Sequence, residues 1–304
     1  MIAIGIDLGG TKTELIALAP DGSILRRERI DTPRGDYLGT LAGIVQLVAT
    51  AETALQARAS VGIGIPGAIS RYTGRIKNAN STWLIGQDLP GDLARRLGRP
   101  IRVANDANCF TLSEAVDGAA VGASSVFGVI LGTGTGGGLV IEGQLLVGTN
   151  AISGEWGHNP MPWMTPAEFP GKPCYCGRTG CIETFLSGPG WAEDMRDQFG
   201  LAGPAKAIAA AAREGDAESL AAVDIYADRL ARALAMIINI VDPEVIVLGG
   251  GLSGIASLYA RVPALWSEYV FSDRVETRLV PPRFGDSSGV RGAAWLGRFE
   301  SLQL

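Results

Sequence analysis

The chain contains one histidine and four cysteines. The histidine, His158, and three of the cysteines, Cys174, Cys176 and Cys181, fall in one segment between Ser153 and Glu183. Three thiolates and one imidazole form a closed tetrahedral set for structural zinc, with no position left open for a substrate. Cys174 and Cys176 can grip one ion from a tight turn, and Gly177 and Gly180 let the backbone fold back so that Cys181 joins them. The competing reading is small core residues, or a disulfide and a spare thiol. It fits poorly here, because Pro, Gly, Lys and Arg crowd the segment. A metal-bound imidazole is not a free base, so a Ser-His-Asp or Cys-His mechanism is excluded for a chain with this one histidine.

Two other stretches join glycine to hydroxyl side chains. Asp7, Gly9, Gly10, Thr11, Lys12 and Thr13 lie in a turn between two predicted strands. Glycines there let backbone N–H groups approach phosphate oxygens, and Thr11 and Thr13 add hydroxyls. Asp7 offers Mg2+ the carboxylate oxygen that it favours. No Gly-Lys-Ser/Thr precedes a helix, so this is not a P-loop, and an ordinary hairpin turn is the alternative. Gly132-Thr133-Gly134-Thr135-Gly136-Gly137 contains G-x-G-x-x-G. A Rossmann turn needs a helix next, whereas Leu139-Val140-Ile141 reads as a strand, so that reading is rejected. Two Gly/Thr turns at corresponding places suggest two phosphate loops. Gly249-Gly250-Gly251 ends a strand, where a base or ribose can lie close to the backbone; a plain strand-to-helix turn is the alternative. Asn105-Asp106 follows a strand at a helix N-terminus. It reads as a cap, or as a general base acting on a hydroxyl in phosphoryl transfer.

The elements that must position these residues follow from the apolar pattern. Ile2–Asp7 alternates apolar residues with glycine and reads as a buried strand. Strands Glu14–Ala19 and Ser23–Arg29 follow, then a helix over Asp36–Ala59 and a strand Val61–Ile65. A helix over Asp88–Leu97 stops at Gly98, and a short strand Ile101–Ala104 leads into Asn105-Asp106. Beyond Gly118–Ser125 the opening pattern repeats: strand Val126–Leu131, Gly/Thr turn, strand Gly138–Glu142, turn, and Leu145–Val147. The zinc segment is inserted next. A long helix over Asp216–Val241 carries Leu220, Val223, Ala227, Leu230, Leu234, Ile237 and Val241 on one face. Strand Val245–Leu248 and a closing helix Val290–Leu296 complete the pattern.

In 304 residues, 47% hydrophobic and 19% charged, there is room for two domains with a large core. A net charge of -5 argues against a nucleic-acid partner. The start lacks the basic region of a signal peptide. No apolar run is expected to reach membrane-spanning length, Ala233–Val241 being the longest candidate. A cytoplasmic, reducing setting without membrane contact is therefore expected, and it suits zinc thiolates.

These motifs together resemble the ROK family (repressors, open reading frames and sugar kinases). The resemblance rests on Asp7-x-Gly9-Gly10-Thr11-Lys12, Gly64-x-Pro66-Gly67, Asn105-Asp106, Gly132-Thr133-Gly134, Gly154-Glu155-x-Gly157-His158 and Cys174-x-Cys176-Gly177-x-x-Gly180-Cys181-x-Glu183, and covers nearly the whole chain. Glu155–Trp163 and the long insert before Cys174 look like the fructokinase branch. The resemblance implies an α/β actin-like ATPase fold: two ribonuclease-H-like domains around a cleft. They are expected over 1–119, closed by a helix at about 288–304, and over 120–287, with the zinc insert at 153–183. It implies Asp106 as catalytic base and Asn105, Glu155, His158 and Glu183 as sugar ligands, His158 through the ring nitrogen that zinc leaves free. The Gly74-Arg75 and Asn80-Thr82 region, with Asn80 and Thr82 as sugar ligands, would complete the pocket. ATP with Mg2+ would sit on the Asp7–Thr13, Gly132–Gly134 and Gly249–Gly251 loops. The expected activity is ATP-dependent phosphorylation of D-fructose to fructose 6-phosphate, with mannose, glucose or N-acetylglucosamine as the alternative, in a homodimer. A sugar-responsive repressor is disfavoured, because a predicted strand beginning at Ile2 leaves no room for a DNA-binding motif. An actin- or chaperone-type ATPase would not need two glutamates and a zinc module beside Asn-Asp.

Overall fold

Along β1 (Ala3–Leu8) the residues Ile4, Ile6 and Leu8 alternate with Gly5 and Asp7, and the strand is nearly all buried. The structure, a computed structural model, describes residues 1–79 and 81–298. β1 is followed by β2 (Lys12–Leu18), β3 (Ile24–Asp31), α1 (Tyr37–Leu55), β4 (Ser60–Ile65), a small hairpin of β5 (Ala68–Ile69) and β6 (Ile76–Lys77), α2 (Leu89–Leu97), β7 (Arg102–Asn105) and α3 (Asp106–Val116). Then come β8 (Ser125–Leu131), β9 (Thr135–Ile141), β10 (Gln144–Leu145), α4 (Ile182–Leu186), α5 (Gly188–Phe199), α6 (Ala205–Arg213), α7 (Ala217–Val241), β11 (Val245–Gly249), α8 (Leu258–Leu265), β12 (Arg278–Val280) and α9 (Ser288–Leu296).

The sheets have the same plan. The first runs β3-β2-β1-β4-β7 and the second β10-β9-β8-β11-β12. In the first, β1 pairs antiparallel with β2 and parallel with β4, and β4 is parallel to β7. In the second, β8 and β11 are parallel, as are β11 and β12. The repeat read from the sequence is therefore real, and the fold is that of the actin-like ATPases. One compact unit holds Met1–Gly122, Gly138–Ser153 and the chain from Asp286 onward; the other holds Ala123–Gly137 and Gly154–Gly285.

Helix signals were honoured locally. Asp36 caps α1, Asp88 caps α2 with Gly98 left-handed at its end, and Asp216 caps α7, each accepting a backbone N–H. On α7, Val223, Ala227, Leu230, Leu234 and Ile237 are buried as expected, whereas Leu220 is exposed. The third strand of the repeat shrinks to the two residues of β10. One expectation is corrected: α1, with 19 residues and a mean hydropathy of 1.4, is long and apolar enough to cross a membrane. Its Leu41, Ile44, Leu47, Val48 and Ala51 instead form one core with Ile4, Ile6 and Leu8 of β1 and Val61, Ile63 and Ile65 of β4.

The other face of β1 and β4 is glycine. Cβ atoms on Gly5 and Gly62 would overlap the backbone oxygens of Val290 and Ala293, so α9 lies directly on the strands. This explains the apolar-Gly alternation. Side chains build the α1 face, and backbone contact builds the α9 face. Gly62→Ala is expected to destabilise by about 3 kcal/mol or more, at the upper end of overpacking costs. Gly289→Ala on α9 meets nothing within 4 Å and should be neutral or stabilising by up to about 1 kcal/mol from helix propensity. Urea unfolding of both variants checks the contrast.

Candidate active site and metal centre

Parallel strands end together, so the residues after β1, β4 and β7 share one edge of their sheet. Asp7 pairs with Gly64 and Ile65 with Asn105 in register. A cavity of about 520 Å³ lies there, lined by Asp7, Gly9, Gly10, Thr11, Arg34, Pro66, Ser81, Trp83 and Asp106, among others. Asn105 is the cap of α3: its Oδ1 accepts from Ala107 N at 2.9 Å and its Nδ2 donates to Gly67 O at 3.1 Å. Asp106, at the first position of α3, also accepts from Ala107 N, at 2.8 Å, and lines the cavity. Both residues thus share the Ala107 N–H at the start of α3, and Asp106 also lines the cavity. Burial, followed by the charges of Asp106 and Glu14, raises the Asp7 carboxyl to about 6 against the opposing pull of Arg29. Facing carboxylates of this kind bind a proton or a divalent cation more readily than a lone one, so the donor set fits Mg2+.

The rest of that loop points elsewhere. Lys12 is ion-paired with Asp31, and Thr13 is buried against the Thr32 hydroxyl at 2.7 Å. Neither lines the cavity: both open β2, and each is held by a partner at the end of β3. Thr82 is exposed at the start of a 3-10 turn, while its neighbours Ser81 and Trp83 line the cavity. Asn80 lies outside the described residues. Among the added lining residues, Pro66 belongs to an expected motif and Ser81 falls within the expected Asn80-Thr82 region, whereas Arg34 and Trp83 carried no signal.

Asp7 also gives a pH prediction. Its value in the fold, about 6, stands above the ordinary 3.8, so the folded state is the tighter proton binder. The corresponding stability is fully present below about pH 4 and is lost as pH rises through about 6. Asp7→Asn mimics the protonated form. It should stabilise the ligand-free protein by on the order of 2 kcal/mol at pH 8, with no difference from wild type below about pH 4. Urea unfolding across pH measures this, and an equal effect at both ends would refute it.

In the other unit, Gly132 and Gly250 leave the ends of the paired strands β8 and β11. Gly250 is left-handed (φ 79°), and a Cβ there would collide with Leu131 O. A cavity of about 1030 Å³ opens beside them, lined by Gly132, Thr133 and Gly251 together with Pro189, Ala192, Ala205, Ala209, Leu220, Val223, Ile255, Lys206, Arg213 and Arg261, among others. Gly249 remains buried in β11. Apolar walls, glycine backbone and three cations suit a flat base joined to phosphates. The walls from α5, α6, α7 and α8 were missed. Their only signal was the pairing of Lys206 and Arg213 with alanines on one short helix.

Gly134 faces a different neighbour. A Cβ there would stand 2.7 Å from Glu183 Oε2, the atom that accepts from Thr135 N at 2.8 Å. Trp156 Nε1 donates to Gly136 O at 2.9 Å, and Gly157 has no room for a Cβ beside Thr135 O. The second Gly/Thr turn is thus tied to the zinc segment. If Glu183 receives the sugar, as the resemblance implies, Gly134→Val should raise the KM for sugar at least as much as that for ATP, which steady-state kinetics with each substrate varied will show.

The ligand atoms of His158, Cys174, Cys176 and Cys181 lie within 4.8 Å of one another. Gly177 and Gly180 are left-handed (φ 86° and 71°), and Cys181 is the cap residue of α4, which places Glu183 in its first turn. Cys176 Sγ is 3.6 Å from Cys181 Sγ, and Cys174 Sγ is 3.6 Å from His158 Nδ1. Zinc bonds of about 2.3 Å to sulfur and 2.0–2.1 Å to nitrogen, set tetrahedrally, require separations of roughly 3.6–3.8 Å. The cluster fits. Burial and the neighbouring Cys176 and Cys174 push the Cys181 thiol up to about 12. His158 Nε2 lies 3.0 Å from Tyr175 Oη. Glu155 is exposed just before the 3-10 turn Trp156–His158.

A family model described as the ROK family matches residues 3–299. An N-acetyl-D-glucosamine kinase of Yersinia enterocolitica is 39% identical over 298 residues, spanning 96% of this chain and 98% of that protein. Among solved structures, a ROK hexokinase from Thermus thermophilus superposes with a TM-score of 0.84 at 27% identity, covering 97% of each chain. A ROK family glucokinase from Streptomyces griseus, solved with glucose and AMPPNP, superposes with a TM-score of 0.78 at 27% identity, covering 98% of this chain and 99% of that one.

Proposed function

The chain belongs to the ROK family, and from that premise we propose that it is an ATP-dependent kinase of N-acetyl-D-glucosamine. Fructose, expected from the wording around Glu155–Trp163, is corrected: the relatives that are 39% identical over nearly the whole chain are N-acetyl-D-glucosamine kinases. The loop wording covered a few residues, whereas the relatives match along the full length. The observation that supports the kinase reading most directly is Asp106 at the start of α3, lining the cavity that also holds Asp7, Gly9, Gly10 and Thr11.

In this reading Asp106 accepts the proton of the attacking sugar hydroxyl. Asn105 caps α3 and fixes Gly67, so it holds that carboxylate in place. Asp7 holds Mg2+, which neutralises charge on the phosphates when bound. Gly9, Gly10 and Thr11 meet phosphate oxygens. Gly132, Thr133 and Gly251 carry the nucleotide in the larger cavity. Glu155, Glu183 and His158 hold sugar hydroxyls, and His158 Nδ1, Cys174, Cys176 and Cys181 hold zinc, which orients the segment bearing them. A cytoplasmic setting and a homodimer belong to the same reading and rest on the family resemblance.

An ADP-coupled assay over N-acetyl-D-glucosamine, N-acetylmannosamine, glucose, mannose and fructose tests it. N-acetyl-D-glucosamine is expected to give the highest kcat/KM. A higher value for fructose or another hexose overturns the substrate and leaves the kinase; no turnover with any sugar overturns both.

A further inference from the structure

The ring nitrogen of His158 that a metal would leave free already has a partner. Nδ1 faces Cys174 Sγ at 3.6 Å, so with metal on Nδ1 the proton sits on Nε2. Nε2 lies 3.0 Å from the hydroxyl of Tyr175. Metal-bound histidines usually hold a carboxylate, a backbone carbonyl or water in this way. Here the partner is a phenol on a side chain that is 82% exposed. Its ring stands edge-on to the imidazole, with centroids 5.1 Å apart and planes at 87°.

Position makes this phenol movable. Tyr175 stands between Cys174 and Cys176, so a metal would pin its backbone on both sides while the side chain turns freely into solvent. Leaving costs it little burial. The charges on Glu183 and Glu155 also reach it, and these are the two carboxylates that the kinase reading assigns to the sugar. A sugar hydroxyl that binds His158 needs the N–H that Tyr175 holds.

We propose that Tyr175 is a plug displaced by substrate: its hydroxyl holds the His158 Nε2–H in the sugar-free protein, and a sugar hydroxyl must replace it. This rests on the reading that His158 receives the sugar. The exchange trades one neutral hydrogen bond for another, so Tyr175 sets sugar affinity and leaves the chemical step alone. Removing the hydroxyl removes a competitor. Tyr175→Phe keeps the ring and should bind the sugar roughly 2- to 12-fold more tightly, the worth of one such bond. The kcat, KM for ATP and zinc content should not change.

The single histidine makes the exchange visible. In zinc-loaded protein labelled with [15N]histidine, one imidazole gives the whole spectrum. Tyr175→Phe should shift the Nε2 resonance of the sugar-free protein. Saturating N-acetyl-D-glucosamine should bring wild type and variant to the same resonance, with calorimetric affinity higher for the variant. Sugar binding that leaves the wild-type Nε2 resonance unmoved, or weaker binding by Tyr175→Phe, overturns the plug alone. If wild type binds none of the panel sugars, the substrate reading falls and the plug with it. Zinc analysis of the same samples shows whether an altered spectrum reflects lost metal, and a variant lacking zinc is replaced by Tyr175→Leu, which must show the same gain in affinity.

Discussion

Asp106→Asn is expected to lower kcat by at least about 10²-fold, within the usual 10²–10⁴-fold contribution of a general base. Sugar and ATP should still bind, and zinc should be retained. No free imidazole competes for the role, since the one histidine lies in the Cys cluster. Of the carboxylates in the motifs, Asp7 shares the cavity but ends the strand beside the glycine turn, and Glu183 is engaged by Thr135 N. The capping duty that would give Asp106 a structural role is shared with Asn105, whose Oδ1 takes the same Ala107 N–H. Asn at 106 can still accept from that N–H, so folding should survive, while proton uptake is lost. The opposite outcome is equally readable: a near-normal kcat with a lowered melting temperature would make Asp106 a cap and move the base to Glu155. Steady-state kinetics and a thermal melt on the same preparation separate the two.

Cys181→Ser should abolish zinc binding, taking about one ion per chain to none, and raise the sugar KM at least tenfold or render the protein insoluble. Structural zinc is worth on the order of 10 kcal/mol in small domains, comparable with the whole stability of a protein. Cys181 does more than ligate. It is buried, it bridges to Pro160, and it begins the helix that carries Glu183. Loss of the ion therefore loosens both strands of the module and the carboxylate two residues on. Elemental analysis, the sugar KM and the KM for ATP discriminate the effects, with ATP affinity expected to change least. A metal-free variant with unaltered sugar kinetics would mean that the cluster has no bearing on the substrate.

What could be read in advance was periodic or chemically distinctive. The apolar-Gly alternation of β1, the strand repeat, the helix starts at Asp36, Asp88 and Asp216, and the Cys/His spacing each appear in the fold. The cavity walls were not legible. Ala205 and Ala209 on α6 and Ile255 before α8 become neighbours of Gly132 only through tertiary packing. Lys12 and Thr13 illustrate the limit within a motif: both open β2 and are held by partners at the end of β3, so only some of a conspicuous run can reach one ligand. Gly134 shows the same limit for glycine, because the residue that needs the space, Glu183, is distant in sequence. Substrate identity was least legible, since neighbouring hexoses differ by one hydroxyl or amide, and the discriminating contacts are set by packing.

The seat of α9 on β1 and β4 has a consequence for how the protein is made. β1 and β4 leave the ribosome well before α9, because nearly all the other elements lie between them in the chain. Gly5 and Gly62 offer no side chains to fill that face meanwhile. The unit containing Asp7 and Asp106 must wait, with one face of its sheet uncovered, until α9 has emerged. The unit carrying the Cys cluster draws on Ala123–Gly137 and Gly154–Gly285, so its residues have all emerged while the first unit is still incomplete. Order of synthesis and order of folding are thereby reversed, and the exposed β1–β4 face is the surface a chaperone would meet on the nascent chain.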